Sequence, residues 1–194
     1  DYYRSDISSS FPYEFELQWR KQSDVKHSKS CIISNCTSIA SRTRTSQLLT
    51  NHNGNIENAF KIIDMAKRCG ADAVKMQTYT PDTITLNSTK EDFVIKDGLW
   101  KGRTLHQLYE WAHTPWEWHE EIFDFAKKID LTIFSSPFDF TAVDFLESLN
   151  VSAFKIASPE CIDLPLIKYA AKKNKPMILS TGMANQEEIK DAID

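Results

Sequence analysis

Four short apolar segments of this sequence each end in a cluster of polar side chains. The clusters are Lys75 with Gln77, Ser135 with Ser136, Lys155 with Ser158 and Glu160, and Ser180 with Thr181. Lys75 and Lys155 interrupt apolar runs, and a buried ammonium is costly unless an anion or a carboxylate accompanies it. Two lysines with nearby hydroxyls and helix N-terminal amides are groups that bind a small multiply charged anion, such as a phosphorylated carboxylate.

Two other interpretations of the lysines stay open. Each ammonium could reach water at a strand end or pair with a structural glutamate. Alternatively, Lys75 or Lys155 could form an imine with a carbonyl substrate, as in Schiff-base aldolases, if burial or a cationic neighbour lowers its pKa.

Three further signatures are weaker. His119 begins an HExxH-like run that lacks the second histidine, so no zinc protease site is expected there, and its ring would face outward or serve packing. The tryptophans at 100, 111, 116 and 118 would pack helices or line a sugar site. Asn51 and His52 belong to the turn NHNG, which would place both at the same mouth as the lysines.

The elements that would position these residues alternate between helices and short buried strands from residue 51 onward. Helices are predicted over 55–69, 114–129, 142–149 and 164–171, with a last one from Gln186 capped by Asn185; the strands are ADAVKMQ, LTIFSS, AFKIAS and MILST. Thr114, Pro115 and Glu117 predict a capping box that opens the second helix. The class is therefore α/β with parallel strands and right-handed crossovers. Polar residues at the strand C-terminal ends favour a barrel, and no dinucleotide or P-loop signature is present.

Residues 1–50 differ in character from the rest. They are rich in Ser, Thr, Arg and Lys without sustained periodicity, and only 31–34 resembles a strand. We interpret 1–50 as a weakly ordered segment foreign to the fold, and 51–194 as the barrel portion.

The bulk properties narrow the class of partner. A formal net charge of -4 argues against a nucleic-acid binder. No apolar run approaches the roughly 20 residues of a membrane span. The four cysteines lack zinc or disulfide spacing, which fits a reducing cytoplasm. A small-molecule substrate is the expected partner.

The motifs resemble a known family. NHNG, GADAVKMQTYTPDTITLN, LYEWAHTPWEWH, IFSSPFD, AFKIASPE and ILSTGMA occur in order across residues 51–194. In these segments the chain is similar to the N-terminal barrel domain of sialic acid and related nonulosonic acid synthases, with the pseudaminic acid branch nearer than the N-acetylneuraminate branch. The resemblance implies condensation of phosphoenolpyruvate with a 2,4-diacetamido-2,4,6-trideoxyhexose.

The resemblance also assigns roles by motif position. Lys75, Ser136, Lys155 and Ser158 would hold phosphoenolpyruvate, with Gln77 beside them and Ser180, Asn51 and His52 as further substrate-binding candidates. Glu160 would approach the sugar as a catalytic residue. Gln47 stands where the family carries a catalytic glutamate at the end of its first strand, so that strand looks replaced.

Family members use a divalent metal, Mn²⁺ or Mg²⁺, held by histidines of later strands, and they form homodimers. Because the sequence stops at Asp194, we expect a partial (β/α)8 barrel that ends after about the fifth strand and lacks the metal ligands. Three hypotheses follow: an incomplete copy of a synthase, a remnant without catalysis, and a small imine-forming lyase.

Overall fold

The fold is built on one six-stranded sheet. A computed structural model describes residues 52–194 and, further upstream, the backbone of two strands. The strands are β1 (Ile32–Ser34), β2 (Thr45–Gln47), β3 (Ala73–Thr78), β4 (Thr132–Pro137), β5 (Phe154–Ile156) and β6 (Met177–Leu179). Their spatial order is β1-β6-β5-β4-β3-β2. All neighbours from β2 to β6 pair in parallel, whereas β1 pairs antiparallel with β6.

Helices connect the parallel strands. They are α1 (Ile56–Arg68), α2 (Pro81–Ile84), α3 (Leu105–Ala112), α4 (His119–Lys128), α5 (Phe140–Ser148), α6 (Leu164–Ala171) and α7 (Gln186–Ile193). Strands that neighbour in both sequence and space, joined by right-handed crossovers, place all connecting helices on one face. This is the wall of a (β/α)8 barrel, as the sequence predicted.

Side-chain alternation along the strands separates the helix-facing core from the opposite face. Val74 and Met76 of β3 are fully buried with Ile63 of α1 and Ile122 of α4. Phe154 and Ile156 of β5 are buried in a second cluster with α5 and α6. Because successive strand side chains point to opposite faces, the residues between these apolar positions line the face away from the helices.

Most elements predicted from 51 onward are confirmed to within a few residues. α1 ends before Gly70, whose φ of 80° is the left-handed conformation of a helix C-terminus. α7 begins at Gln186, and Asn185 caps it in a reciprocal arrangement with Glu188. In each case a strong local stop or start signal coincides with a change of periodicity.

The predicted capping box at the start of α4 is wrong. Pro115 precedes a 3₁₀ turn, Trp116–Trp118, and α4 begins only at His119 without a side-chain cap. The Trp116 indole N–H donates to the Tyr79 carbonyl at 3.3 Å, so this turn is tied to the end of β3. The sequence also did not predict α3, where Thr104 and Gln107 form a capping box.

The upstream segment requires a second correction. A strand at 31–34 was expected and corresponds to β1, but β2 was not predicted. β2 pairs in parallel with β3 and places Gln47 opposite Lys75, the position of a first barrel strand that we expected to be replaced. The stretch Thr-Ser-Gln carries no alternation of its own, so pairing with β3 defines it. The domain boundary at 50 stays a prediction.

Within the described part of the chain, no helix has the length and apolar character to cross a bilayer.

Candidate functional site

Lys75 and Lys155 lie within electrostatic range of each other. Lys75 on β3 is only 8% exposed. Burial, together with the smaller effect of the positive charge of Lys155, lowers the pKa of its ammonium to about 8. The two lysines therefore face one region, as the sequence predicted.

The strand register sets three polar residues side by side. Gln77 of β3 is level with Ser136 of β4, and Ser135 is level with Phe154 of β5. The next step along both strands brings Ser136 beside Lys155. All three side chains alternate with helix-facing residues, so they share the face away from the helices. Lys75 lies on the same face, two residues before Gln77.

Two polar atoms on this side are buried without a hydrogen-bond partner among the described residues. They are the Ser136 hydroxyl and one carboxylate oxygen of Glu160, Oε2. Buried polar groups are usually satisfied, because an orphan costs about 1–3 kcal/mol. Unsatisfied polar groups next to a partly desolvated lysine are typical of a site that binds a polar ligand.

Glu160 belongs to a 3₁₀ turn, Pro159–Ile162, that follows β5. Burial raises the pKa of its carboxyl, the Lys155 ammonium opposes that shift, and the Asp163 carboxylate adds to it. Glu160 therefore holds a proton more readily than an exposed glutamate. A carboxyl of this kind suits a hydrogen bond or a proton transfer to a bound substrate.

Ser158 is held in place by the loop after β6. The Gly182 amide donates to Ser158 Oγ at 3.0 Å. A β-carbon on Gly182 would also lie 3.0 Å from that oxygen, closer than side chains normally approach. Glycine at position 182 therefore leaves room for the Ser158 hydroxyl. Ser180 is bound through its backbone, where its amide donates to the Ile156 carbonyl at 3.1 Å.

His52 is buried just before α1. Its Nδ1 accepts from the Gly54 amide at 3.1 Å, and its ring meets Trp118 edge to face at 5.4 Å. Gly54 lies just before α1, and Trp118 lies just before α4. Burial lowers the pKa of His52, and nearby His113 adds to the shift. Its Nε2 has no hydrogen-bond partner in the part of the chain that the structure describes, and the role of His52 in substrate binding stays a prediction.

The structure describes only the backbone of one predicted site residue and does not describe another. Gln47 is described only as the last residue of β2, opposite Lys75. Asn51 lies outside the described residues. The functions predicted for both stay predictions.

Sequence reasoning missed a buried polar network behind the site. Thr78, Ser135 and His119 are fully buried, and Thr78 is hydrogen-bonded to both of the others. His119 therefore serves packing, as one half of the expectation held, and does not face outward. The available signal was the presence of hydroxyls at helix-facing positions of otherwise apolar strands.

The tryptophans pack against other side chains, and Trp111 also lines an open pocket with Arg103, Gln107 and Glu110. Trp116 stacks on Phe145 with ring centroids 4.7 Å apart, Trp118 meets His52, and Trp100 meets Trp111 at 4.8 Å. The guanidinium of Arg103 lies over Trp100. These contacts support the packing interpretation.

The residues described do not fit a metal site. Among them there is no group of three or more His, Cys, Asp or Glu side chains that could hold a metal ion. Cys69 and Cys161 are free thiols.

Comparison with known proteins decides the family. Residues 62–194 match the model of the NeuB family, which is more than half of the chain. The chain belongs to the NeuB family. Other members include pseudaminic acid synthases, to which it is 52% identical over 143 residues in Campylobacter jejuni and 50% over 147 residues in Helicobacter pylori. An N,N'-diacetyllegionaminic acid synthase of Campylobacter jejuni is 38% identical.

The matches cover most of this chain and less than half of each relative. They span 74% of the chain and 42% of the Campylobacter protein, and 76% and 43% in the Helicobacter pair.

Solved NeuB-type structures agree with the fold. The spore coat polysaccharide biosynthesis protein SpsE of Bacillus subtilis superposes with a TM-score of 0.62 at 32% identity, over 80% of this chain and 40% of that one. An N-acetylneuraminic acid synthetase of Leptospira borgpetersenii has a TM-score of 0.68 at 23% identity, over 86% and 55%, and supports the fold alone.

Proposed function

We propose that this chain forms the phosphoenolpyruvate-binding part of a nonulosonic acid synthase of the pseudaminic acid type. The observation that carries the proposal is the pair Lys75 and Lys155, which share one face with the unpartnered hydroxyl of Ser136. Two ammonium groups and a free hydroxyl match a ligand that carries both a phosphate and a carboxylate. The higher identity to pseudaminic acid synthases, about 50%, than to an N-acetylneuraminate-9-phosphate synthase of Mus musculus, at 31%, favours the pseudaminic branch.

The reaction forms one carbon–carbon bond and releases phosphate. C3 of phosphoenolpyruvate attacks the aldehyde carbon of the open-chain acetamido sugar, and water adds at C2. The resulting tetrahedral centre then breaks its C–O bond to phosphate. Lys75 and Lys155 neutralise the phosphate and carboxylate, and they fix C3 toward the aldehyde.

Hydroxyl and amide groups complete this cradle. Ser136 and Ser158 donate to ligand oxygens, and Gln77 lies level with Ser136 on the neighbouring strand. Ser158 is already oriented by the Gly182 amide. A bound ligand thus supplies the hydrogen-bond partner that the Ser136 hydroxyl lacks among the described residues.

Glu160 is proposed to meet the sugar. Its raised pKa and its unpartnered oxygen favour a carboxyl that exchanges a proton or a hydrogen bond with a sugar hydroxyl. Gln47, opposite Lys75 in the register, could offer an amide but no negative charge.

The family resemblance implies a divalent metal that would polarise the sugar aldehyde. The described residues do not fit such an ion. A cytoplasmic location and a homodimer, both implied by the resemblance, are also part of the proposal.

The test separates binding from turnover. We expect calorimetry with phosphoenolpyruvate to detect binding by the 194-residue chain, and removal of Lys75 or Lys155 to abolish it. We expect no phosphate release with the trideoxy sugar and Mn²⁺, because the described residues offer no metal site. Absence of phosphoenolpyruvate binding would contradict the proposal, and full turnover would contradict the expectation about the metal.

One observation favours a second candidate. The pKa of Lys75 is lowered to about 8, and a neutral amine is what an imine-forming lyase needs. Borohydride reduction in the presence of pyruvate, followed by mass spectrometry, distinguishes the two. The synthase proposal expects Lys75 and Lys155 to stay unmodified, and a covalent adduct on either would favour the lyase.

A further inference from the structure

Behind the anion site, three buried side chains form a continuous hydrogen-bonded chain. Thr78 Oγ1 lies 2.7 Å from Ser135 Oγ and 2.9 Å from His119 Nε2. His119 Nδ1 lies 3.1 Å from the Pro115 carbonyl oxygen. Thr78 ends β3, Ser135 lies near the end of β4, and His119 begins α4, so the chain joins three elements.

The direction of each hydrogen bond follows from the Pro115 carbonyl. A carbonyl oxygen can only accept, so His119 Nδ1 must carry a proton. Burial lowers the pKa of His119 to about 4, although the carbonyls of Pro115 and Trp116 raise it in part, so the ring is neutral near pH 7. Nε2 is then an acceptor. The Thr78 hydroxyl donates to it, and the Ser135 hydroxyl donates to Thr78.

These hydrogen bonds lie at the end of the ladder between β3 and β4, next to the site. The last pair of the β3–β4 ladder is Thr78 opposite Pro137, and proline has no backbone N–H to contribute. The side-chain bonds therefore hold the strands together where the ladder runs out. Gln77 directly precedes Thr78, and Ser136 directly follows Ser135. Both Gln77 and Ser136 face the anion site.

We propose that His119, Thr78 and Ser135 are positioning residues that fix the spacing of Gln77 and Ser136 through this one-directional hydrogen-bond chain. The role rests on the proposed function, since it concerns the site for phosphoenolpyruvate. The ring of His119 is also held by Phe145 of α5, edge to face at 5.2 Å, so the anchor of the chain is fixed on both sides.

The first experiment tests the direction of the chain without any ligand. Long-range ¹H–¹⁵N NMR of the 194-residue chain, with His119 assigned from a His119→Gln variant, should show the neutral Nδ1–H tautomer between pH 6 and pH 8. An Nε2–H tautomer or a charged ring at pH 7 would overturn the proposed direction.

The second experiment tests the positioning role by calorimetric titration with phosphoenolpyruvate. Thr78→Val keeps the shape of the side chain and removes the hydroxyl, so affinity should fall by about five- to tenfold. Thr78→Ser should restore it. Thr132→Val is the matched control, because it removes an exposed hydroxyl at the other end of β4 and should leave affinity unchanged.

A Ser135→Ala variant serves if Thr78→Val does not fold, and it should weaken affinity to a similar extent. If the wild-type chain binds phosphoenolpyruvate and both variants bind it as tightly as the wild type does, the positioning role alone is overturned. A wild-type chain that does not bind phosphoenolpyruvate overturns the proposed function and the positioning role together, whereas the tautomer still reports on the direction of the chain.

Discussion

At the scale of the residue, the chain tolerates an unfavourable group at its candidate site. Lys75 is buried on β3 and lies near a second cation. The lowering of its pKa from 10.5 to about 8 corresponds to roughly 3 kcal/mol against the charged form. An anionic ligand would remove this cost, because it supplies the missing counter-charge. The residue therefore trades stability of the free chain for affinity.

Replacing Lys75 should separate these two quantities. We expect Lys75→Met to stabilise the free chain by about 1–3 kcal/mol at pH 7, because an apolar side chain of similar length no longer opposes burial. The same change should abolish phosphoenolpyruvate binding. Urea unfolding and calorimetry measure the two effects.

The control for this experiment is Lys168→Met, an exposed lysine on α6. It should change neither stability beyond about 0.5 kcal/mol nor binding. Destabilisation by Lys75→Met comparable to a core truncation would show that Lys75 makes a structural ion pair instead.

The same lysine predicts opposite pH trends for stability and binding. Between pH 8 and 10.5 the unfolded lysine retains its proton while the folded one loses it, so the free energy of unfolding should rise with pH in this window. Affinity for phosphoenolpyruvate should fall above about pH 8, because the ammonium is lost. Urea unfolding and calorimetry at pH 7, 8, 9 and 10 test both slopes, and Lys75→Met should remove this contribution to the stability slope.

Gly182 offers a subtler test of the site. Gly182→Ala should displace the Ser158 hydroxyl, since the new β-carbon would lie 3.0 Å from it, and weaken phosphoenolpyruvate binding by about fivefold. In a Ser158→Ala background the same change should have little further effect. Additive losses in the double variant would mean that Gly182 acts on binding by another route.

At the scale of the element, helix caps hold the loops that carry the site. Asp139 follows the end of β4 and caps α5, because its carboxylate accepts from the amides of Thr141 and Ala142. This cap fixes the chain just after Ser136. The aspartate therefore stabilises the start of α5.

Removal of this cap should cost stability. We expect Asp139→Ala to lower the free energy of unfolding by about 1–2 kcal/mol, measured by urea titration, and Asp139→Asn to retain most of it. Equal losses in both variants would indicate that the charge, and not the acceptor, is what stabilises α5.

Elements with strong local signals were predictable, and those defined by neighbours were not. Asn185 and Gly70 mark a helix start and a helix end by their own chemistry, and both were identified from sequence. α4 was placed too early, because the bond from Trp116 to Tyr79 favours a 3₁₀ turn before it. β2 was missed because a three-residue strand is defined by its partner.

At the scale of the whole molecule, the fully buried apolar side chains of β3 and β5 lie on the helix side of the sheet. Phe154 is fully buried there among side chains of α5, α6 and β6. The opposite face carries the lysines and the unpartnered hydroxyl. The helix-facing core and the candidate site therefore lie on opposite faces of the same strands, although Phe134 is buried on the face of the site.

A core truncation on the helix side should be severe. We expect Phe154→Ala to cost about 3–5 kcal/mol or to prevent folding, as judged by circular dichroism and urea unfolding. Leu86→Ala, at a side chain that is 69% exposed, should stay within about 0.5 kcal/mol. A mild effect of Phe154→Ala would contradict the placement of the core.

The sequence by itself determined the α/β class, the parallel strands and the pair of lysines, because side-chain periodicity and the cost of burying an ammonium are local properties. Only the tertiary structure decided that Gln77, Ser136 and Lys155 stand level across three strands, since register is a relation between segments distant in the chain. The same holds for the buried bond between Thr78 and His119, which are 41 residues apart. Their contact depends on how α4 packs at the end of β3, and no local pattern specifies that.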